Sequence, residues 1–141
     1  MKAVIFGLLM VSTAAVWAED TRTLVQLPAP AQETLRQEMR DNTIALNEVL
    51  SLMAAGKTEA AGELADRKLG IASMGKHRGS AFDAMPGPNM PPAMHRIGME
   101  GHQAVSEFAS AARIGDRKRA LELLPNLTAA CVTCHNSYRI R

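Results

Sequence analysis

The chain has 141 residues and a formal net charge of +2, from 16 Lys and Arg residues and 14 Asp and Glu residues. This length fits one domain with a modest core, and the near balance of charge does not favour nucleic-acid binding, which uses a concentrated basic surface. Only 4% of the residues are aromatic, so the domain has few large rings with which to fill its centre.

The first 18 residues have the pattern of a secretory signal peptide. Lys2 precedes an apolar run at 3–11, and Ala18 offers the small residue that signal peptidase needs. The run is shorter than the ~20 apolar residues that span a bilayer, which argues against a retained anchor. We therefore predict cleavage after Ala18 and a periplasmic mature chain, 19–141, that forms a single domain without a stable membrane span.

Two amphipathic helices are predicted in the first half of the mature chain. After segment 19–26, which we expect to be mobile, the first helix begins near Pro30 and ends at Gly56. Thr58 is expected to cap a second helix that extends to about Met74. The apolar positions of the first helix recur at steps of three and four: Leu35, Met39, Leu46, Val49, Leu50 and Met53.

The second half of the chain predicts a long connection and two further helices. Residues 75–92 contain four prolines and three glycines, which predict a connection. A third helix then begins at Pro91 and Pro92 and ends at Gly115. Asp116 is expected to cap the fourth helix.

The fourth predicted helix carries both cysteines of the chain. Pro125 should kink or split it, because the proline ring removes a donor and crowds the preceding turn. One apolar stripe follows the helix: Ala120, Leu124, Leu127, Cys131, Cys134 and Tyr138. Four amphipathic helices without a strand predict an all-α fold, an antiparallel up-down-up-down four-helix bundle. The two cysteines are expected to face its interior.

The sequence Cys131-Val-Thr-Cys134-His135 has the spacing of a haem c attachment site. Residues three apart lie on one face of a helix, so two sulfur atoms can reach the two vinyl positions of one haem. His135 follows directly, and histidine is the usual proximal ligand of haem iron. We therefore predict one covalent haem c, bound through Cys131 and Cys134 and ligated by His135.

Three other interpretations of the two cysteines are weaker. A disulfide between Cys131 and Cys134 would close a very short loop with little entropic benefit. A thioredoxin-like redox pair would need a strand-helix context. A structural zinc ion needs four ligands, and the local sequence supplies three.

The segment 124–139 resembles the class II cytochromes c, the family of cytochrome c prime. In that family the haem motif lies near the C-terminus of a four-helix bundle and is commonly followed by an aromatic and a basic residue, which Tyr138 and Arg139 match. Gly115-Asp116 and Arg36-Gln37 also resemble family patterns. Members often have a ring early in the third helix, where this chain has Ile97-Gly98.

The resemblance implies a redox protein and not an enzyme. It implies periplasmic redox partner proteins, a monomer or homodimer, and possible haem propionate contacts from Arg139 and Arg36. An exposed position on the helix surface is the alternative for Arg36, and a solvated charge at the end of the chain is the alternative for Arg139.

The sixth ligand position of the iron separates two functions within the family. Met39-Arg40-Asp41-Asn42 resembles the methionine-bearing segment of the low-spin members, which implies Met39 as distal ligand and electron transfer as the function. Met39 could equally be core packing, as methionine often is. An alignment on Arg36-Gln37 instead puts Arg40 at the distal position, which implies an open iron that binds nitric oxide or other small gases.

A different class of function is suggested by a segment rich in methionine and histidine. Thioethers and imidazoles suit cuprous copper, so a copper-binding protein is a further alternative. The segment 74–102 holds five methionines and three histidines: Met74, His77, Met85, Met90, Met94, His95, Met99 and His102.

Overall fold

A computed structural model describes residues 19–141, and the predicted signal peptide and its cleavage site lie outside that range. The described chain is all-α apart from two very short strands. Its helices are α1 (Ala29–Ala54), α2 (Thr58–Leu69), α3 (Pro86–Asn89), α4 (Pro92–Arg113) and α5 (Arg117–Ser137). The strands are β1 (Thr23–Leu24) and β2 (Tyr138–Arg139), and 3₁₀ turns occur at Ile71–Ser73 and Phe82–Ala84. None of the helices from residue 19 onward is long and apolar enough to cross a membrane.

Most of the predicted helix ends are confirmed. Pro92 opens α4, where its missing N–H costs no hydrogen bond. Gly56 and Gly115 follow α1 and α4 with φ of 76°, the left-handed conformation that glycine adopts without strain. The Asp116 carboxylate accepts a hydrogen bond of 2.9 Å from the Arg119 backbone N–H and caps α5.

The predicted ends of α2 are wrong. Lys57 is the residue that precedes the helix, while Thr58 lies within its first turn, is buried and makes no capping hydrogen bond. The helix ends at Leu69 and not near Met74, because the backbone becomes extended at Gly70 and then enters a 3₁₀ turn.

Pro125 does not split the last helix, since α5 is continuous across it. The proline lies on an exposed position, where a carbonyl that lacks its usual N–H donor can be hydrated. The Thr128 hydroxyl also donates to the Pro125 carbonyl over 3.1 Å.

Neighbouring helices pack in chain order, whereas the first and last long helices barely meet. Extensive contacts join α1 to α2, α2 to α4 and α4 to α5, but α1 and α5 touch little. Small residues allow the close contacts: a Cβ on Gly62 would lie 2.8 Å from the Ala112 Cβ, and one on Gly101 would lie 2.9 Å from the Ala130 Cβ. Three sides of the helix assembly are therefore closed, and the α1–α5 side has little direct helix contact.

The buried apolar residues form two clusters. The first lies between α1, α2, α4 and α5 and contains Val49, Met53, Ala61, Ala65, Val105, Phe108, Ala109, Ala111, Ala112, Ala120, Leu123 and Leu127. The second contains Val25, Leu27, Ala31, Leu35 and Met94, with Cys134, Tyr138 and Ile140 packed against it. The C-terminal end of α5 therefore belongs to the second cluster.

Segment 19–26, expected to be mobile, is instead joined to the C-terminus. Thr23 and Leu24 pair in parallel with Tyr138 and Arg139. The Val25 N–H donates to the Arg139 carbonyl over 2.8 Å, and the Val25 side chain is buried. The N-terminal segment thus covers the end of α5.

We expect Gly62→Ala to destabilise the protein by about 1–3 kcal/mol. Its Cβ would meet the Ala112 Cβ and the Arg113 backbone nitrogen, both at 2.8 Å, so α2 and α4 would have to separate. The control is Gly98→Ala, which meets no atom within 4 Å and should add about 0.5–1 kcal/mol through its better helix propensity. Urea unfolding measures both, and stabilisation by both variants would contradict this packing.

Candidate functional site

The Cys-x-x-Cys-His sequence occupies the last turns of α5, and its Cys131 and His135 lie on the flank away from α4. A groove of about 250 Å³ between α4 and α5 is lined on the α5 side by residues that include Ala130 and Thr133. Successive residues turn by about 100° around a helix, so Cys131 and His135 each lie about 160° away from Thr133. Cys131 and His135 are exposed, and they lie on the side of α5 that has little contact with α1.

Met39 lies on the corresponding flank of α1. A cavity of about 620 Å³ between α1 and α2 is lined by residues that include Ala45 and Glu48, which marks the flank that faces α2. Successive residues turn by about 100° around the helix axis. Met39 is therefore about 120° away from Ala45, and Leu50 is about 140° away from it. Their exposed fractions are 37% and 41%, so both are apolar side chains on the flank away from α2.

These two flanks face the same side of the molecule, which we call the α1–α5 face. It is defined by Met39 and Leu50 of α1 and by Cys131 and His135 of α5. Cys134 packs against the cluster that contains Leu35. α1 and α5 run in opposite directions. Met39 lies one turn after Leu35 on α1, and Cys131 lies one turn before Cys134 on α5. Both steps therefore lead towards the same end of the molecule. This helix geometry predicts that the thiols and the imidazole of α5 lie across from the Met39 thioether of α1.

The cysteines were both expected to face the interior, but they differ. Cys134 is half-buried against the second cluster, whereas Cys131 is exposed as a residue and its Sγ lies 3.9 Å from the Leu127 carbonyl oxygen. Burial of the sulfur raises the pKa of the Cys131 thiol, and burial together with the nearby Cys131 raises the pKa of the Cys134 thiol. Redox-active cysteines have lowered pKa values, so these neutral thiols do not fit a thioredoxin-like pair.

No family model, curated protein or solved structure matches this chain. The chemistry of the α1–α5 face therefore has to be inferred from its residues. Within residues 19–141, no group of three or more His, Cys, Asp and Glu side chains is arranged to hold a metal ion. Two thiols, one imidazole and one thioether are a donor set that suits covalent haem c and its iron.

Two arginines of α1 have partners on their own helix. The Arg36 guanidinium donates to the Gln32 side-chain oxygen over 3.2 Å and lies 3.9 Å from Glu33. The Arg40 guanidinium donates to Glu33 over 3.1 Å and to Gln37 over 2.7 Å. Both side chains therefore contact the helix surface, which favours Met39 over Arg40 as the residue of this segment that turns to the α1–α5 face.

Arg139 lies beyond the helix that was expected to contain it. α5 ends at Ser137, and Arg139 belongs to β2, where its Nε lies 3.5 Å from a carboxylate oxygen of Asp20. Its contact in the structure is thus with the N-terminal segment, and its predicted propionate contact stays a prediction.

Asp20 and Arg22 are part of the structure around His135, although the sequence pattern did not indicate this. Arg22 donates to the Asp20 carboxylate over 2.9 and 2.8 Å, and this hydrogen bonding lowers the pKa of Asp20 to about 2. The same guanidinium donates to the backbone carbonyl of His135 over 3.2 Å. Arg22 and His135 are 113 positions apart in the chain, so no local periodicity could reveal the contact.

The histidines of segment 74–102 contact separate elements. His77 Nε2 lies 2.8 Å from a Glu38 carboxylate oxygen on α1, and His102 Nδ1 lies 2.7 Å from the Leu69 carbonyl oxygen at the end of α2. Met94 is buried in the second cluster. These contacts give the copper alternative no support.

Proposed function

We propose that this chain is a periplasmic monohaem c-type cytochrome of class II that transfers single electrons. In this proposal α1, α2, α4 and α5 form a four-helix bundle, and one haem c lies at the α1–α5 face. The observation that supports it is that α1 and α5 have little contact with each other, while Cys131 on α5 and Met39 on α1 are both exposed.

Each donor has a role that its chemistry supports. Cys131 and Cys134 would form the two thioether bonds, and His135 would supply the proximal nitrogen. Met39 would supply a second iron ligand, a thioether, which raises the reduction potential. Haem bound in this way would supply one-electron redox chemistry.

The packing of the other helices supports a flat apolar group at this face. The first cluster contains many alanines and one phenyl ring, that of Phe108, and Gly62 and Gly101 bring α2, α4 and α5 close together. The wider side is therefore the one between α1 and α5. Both helices carry exposed apolar residues: Leu50 of α1 is 41% exposed, and Leu121 of α5 is 45% exposed.

The proposed partners are periplasmic redox proteins. The mature chain loses Lys2 with the leader, which leaves 15 basic and 14 acidic residues and a formal charge of +1. A surface with so little net charge exerts weak long-range attraction on either sign of partner. We therefore propose short-range docking near the α1–α5 face and no binding of nucleic acid.

Optical spectra of the oxidised and reduced holoprotein test the distal ligand. We expect a low-spin ferric spectrum with a long-wavelength sulfur-to-iron band that Met39→Ala abolishes. Met99→Ala is the matched control, because Met99 on α4 has nearly the same exposure, 40% against 37% for Met39, and should leave the band unchanged. A high-spin spectrum that responds to nitric oxide and is insensitive to Met39→Ala would support the gas-binding alternative instead.

A further inference from the structure

The carbonyl of His135 has an unusual partner. The last four carbonyls of an α-helix have no donor within the helix, and His135 is in the last turn of α5, which ends at Ser137. The guanidinium of Arg22 donates to this carbonyl over 3.2 Å. A cation at a helix C-terminus is also favoured by the helix dipole.

Arg22 is itself held in place by the N-terminal segment. Two of its nitrogens donate to the two carboxylate oxygens of Asp20, over 2.9 and 2.8 Å. A third donates to His135, and Asp20 also lies 3.5 Å from Arg139. A planar guanidinium can make such contacts together, whereas an ammonium group cannot match this fork. The β1–β2 pairing fixes the backbone on which both Asp20 and Arg22 depend.

We propose that Arg22, oriented by Asp20, is a positioning residue for the His135 imidazole. It acts on the backbone from which the imidazole projects and not on the ring itself. Groups that orient a metal ligand tune the metal site, and replacing them typically costs about 10–100-fold in metal affinity or activity. This inference rests on the proposed function, because it needs iron bound by His135.

The effect on the ligand follows from the geometry of the helix end. If the last turn of α5 frays, the Cα–Cβ bond of His135 changes direction, while Cys131, one turn earlier, and the adjacent Cys134 still tether the haem. The imidazole would then sample several orientations relative to a group that cannot follow it. Fixing the His135 carbonyl restricts this motion to a single arrangement.

The test uses the holoprotein in four forms: wild type, Arg22→Ala, Arg22→Lys and Arg96→Ala. Arg96 is the control, because it is an exposed arginine of α4 that pairs with Glu100 on its own helix. Amide hydrogen exchange of residues 134–139 reports helix fraying, and electron paramagnetic resonance and the midpoint potential report the ligand.

We expect Arg22→Ala to raise amide exchange in residues 134–139 about tenfold, from the loss of one charged hydrogen bond. It should also broaden or split the ferric low-spin signal and shift the midpoint potential. Arg22→Lys should give intermediate values, and Arg96→Ala should match the wild type.

Two results would overturn the proposal while leaving the cytochrome assignment intact. If Arg22→Ala raises amide exchange but leaves the resonance spectrum and the midpoint potential unchanged, Arg22 only caps the helix. If amide exchange is also unchanged, Arg22 does not cap the helix either. Wild-type protein that is purified from a host competent in haem c attachment but carries no covalent haem would refute the proposed function itself, and the positioning role with it.

Discussion

Replacing Cys131 and Cys134 together by alanine should release haem from the chain completely. Each thioether is a covalent bond, so each single variant should retain haem through the remaining sulfur in reduced amount. The double variant should show no peroxidase-active haem band after denaturing electrophoresis, and its intact mass should equal that of the cleaved polypeptide alone. Wild-type protein should be heavier by the mass of one haem.

The two residues between the cysteines provide the control. Val132 is 56% exposed, and the Thr133 hydroxyl donates to the Ala129 carbonyl of its own helix over 2.9 Å. Val132→Ala and Thr133→Ala keep the spacing of Cys131 and Cys134 and should retain full haem staining. Equal staining in the double cysteine variant would show that haem is held elsewhere, and absence of haem from the wild type would exclude haem c attachment altogether.

The helices could be predicted from the sequence because the signals that define them are local. Gly56 and Gly115 end α1 and α4, and Asp116 caps α5, as their positions next to apolar periodic segments indicate. The prediction that Thr58 caps α2 was wrong, because a threonine at the start of a helix can either cap the helix or lie in its first turn. Its burial against neighbouring helices is a tertiary effect that the local pattern does not contain.

The connections between distant parts of the chain could not be predicted. β1 and β2 are two-residue strands, too short to show a period, and their pairing joins the two ends of the described chain. Val25 and Leu27 are buried, although the short apolar stretch in which they lie shows no period that would indicate it. The partnership of Arg22 with His135 has the same origin.

The candidate site lies between these two cases. Cys131, Cys134 and His135 could be predicted as a haem c site because their spacing is local and specific, and this assignment stays a prediction. The prediction for Met39 depended on helix register, because Arg40 is one residue later and about 100° further around α1. The structure distinguishes the two side chains by their contacts, since Arg40 is held by Glu33 and Gln37 on the helix surface. Cys131 is more exposed than its predicted place in the interior, because α5 has little contact with α1.

Phe108→Ala should be the most destabilising single substitution considered, with a loss of about 3–5 kcal/mol in the free energy of unfolding. The ring is completely buried and is one of the two largest fully buried side chains of the described chain. Its neighbours in the first cluster include alanines such as Ala61, Ala109 and Ala112, whose short side chains cannot extend into the space that the ring leaves. Domains of this size are stable by about 5–15 kcal/mol, so this loss is roughly a fifth or more of the total stability.

Phe82→Ala makes the same chemical change at a position that is 64% exposed and should alter stability by no more than about 0.5 kcal/mol. Urea unfolding of both holoprotein variants measures the difference, and equal midpoints would contradict the placement of Phe108 in the core. Haem staining after denaturing electrophoresis should be unchanged in both, because neither substitution touches Cys131 or Cys134. A lower midpoint with full staining would therefore separate the packing of the helices from the attachment of haem, which the double cysteine variant alone cannot do.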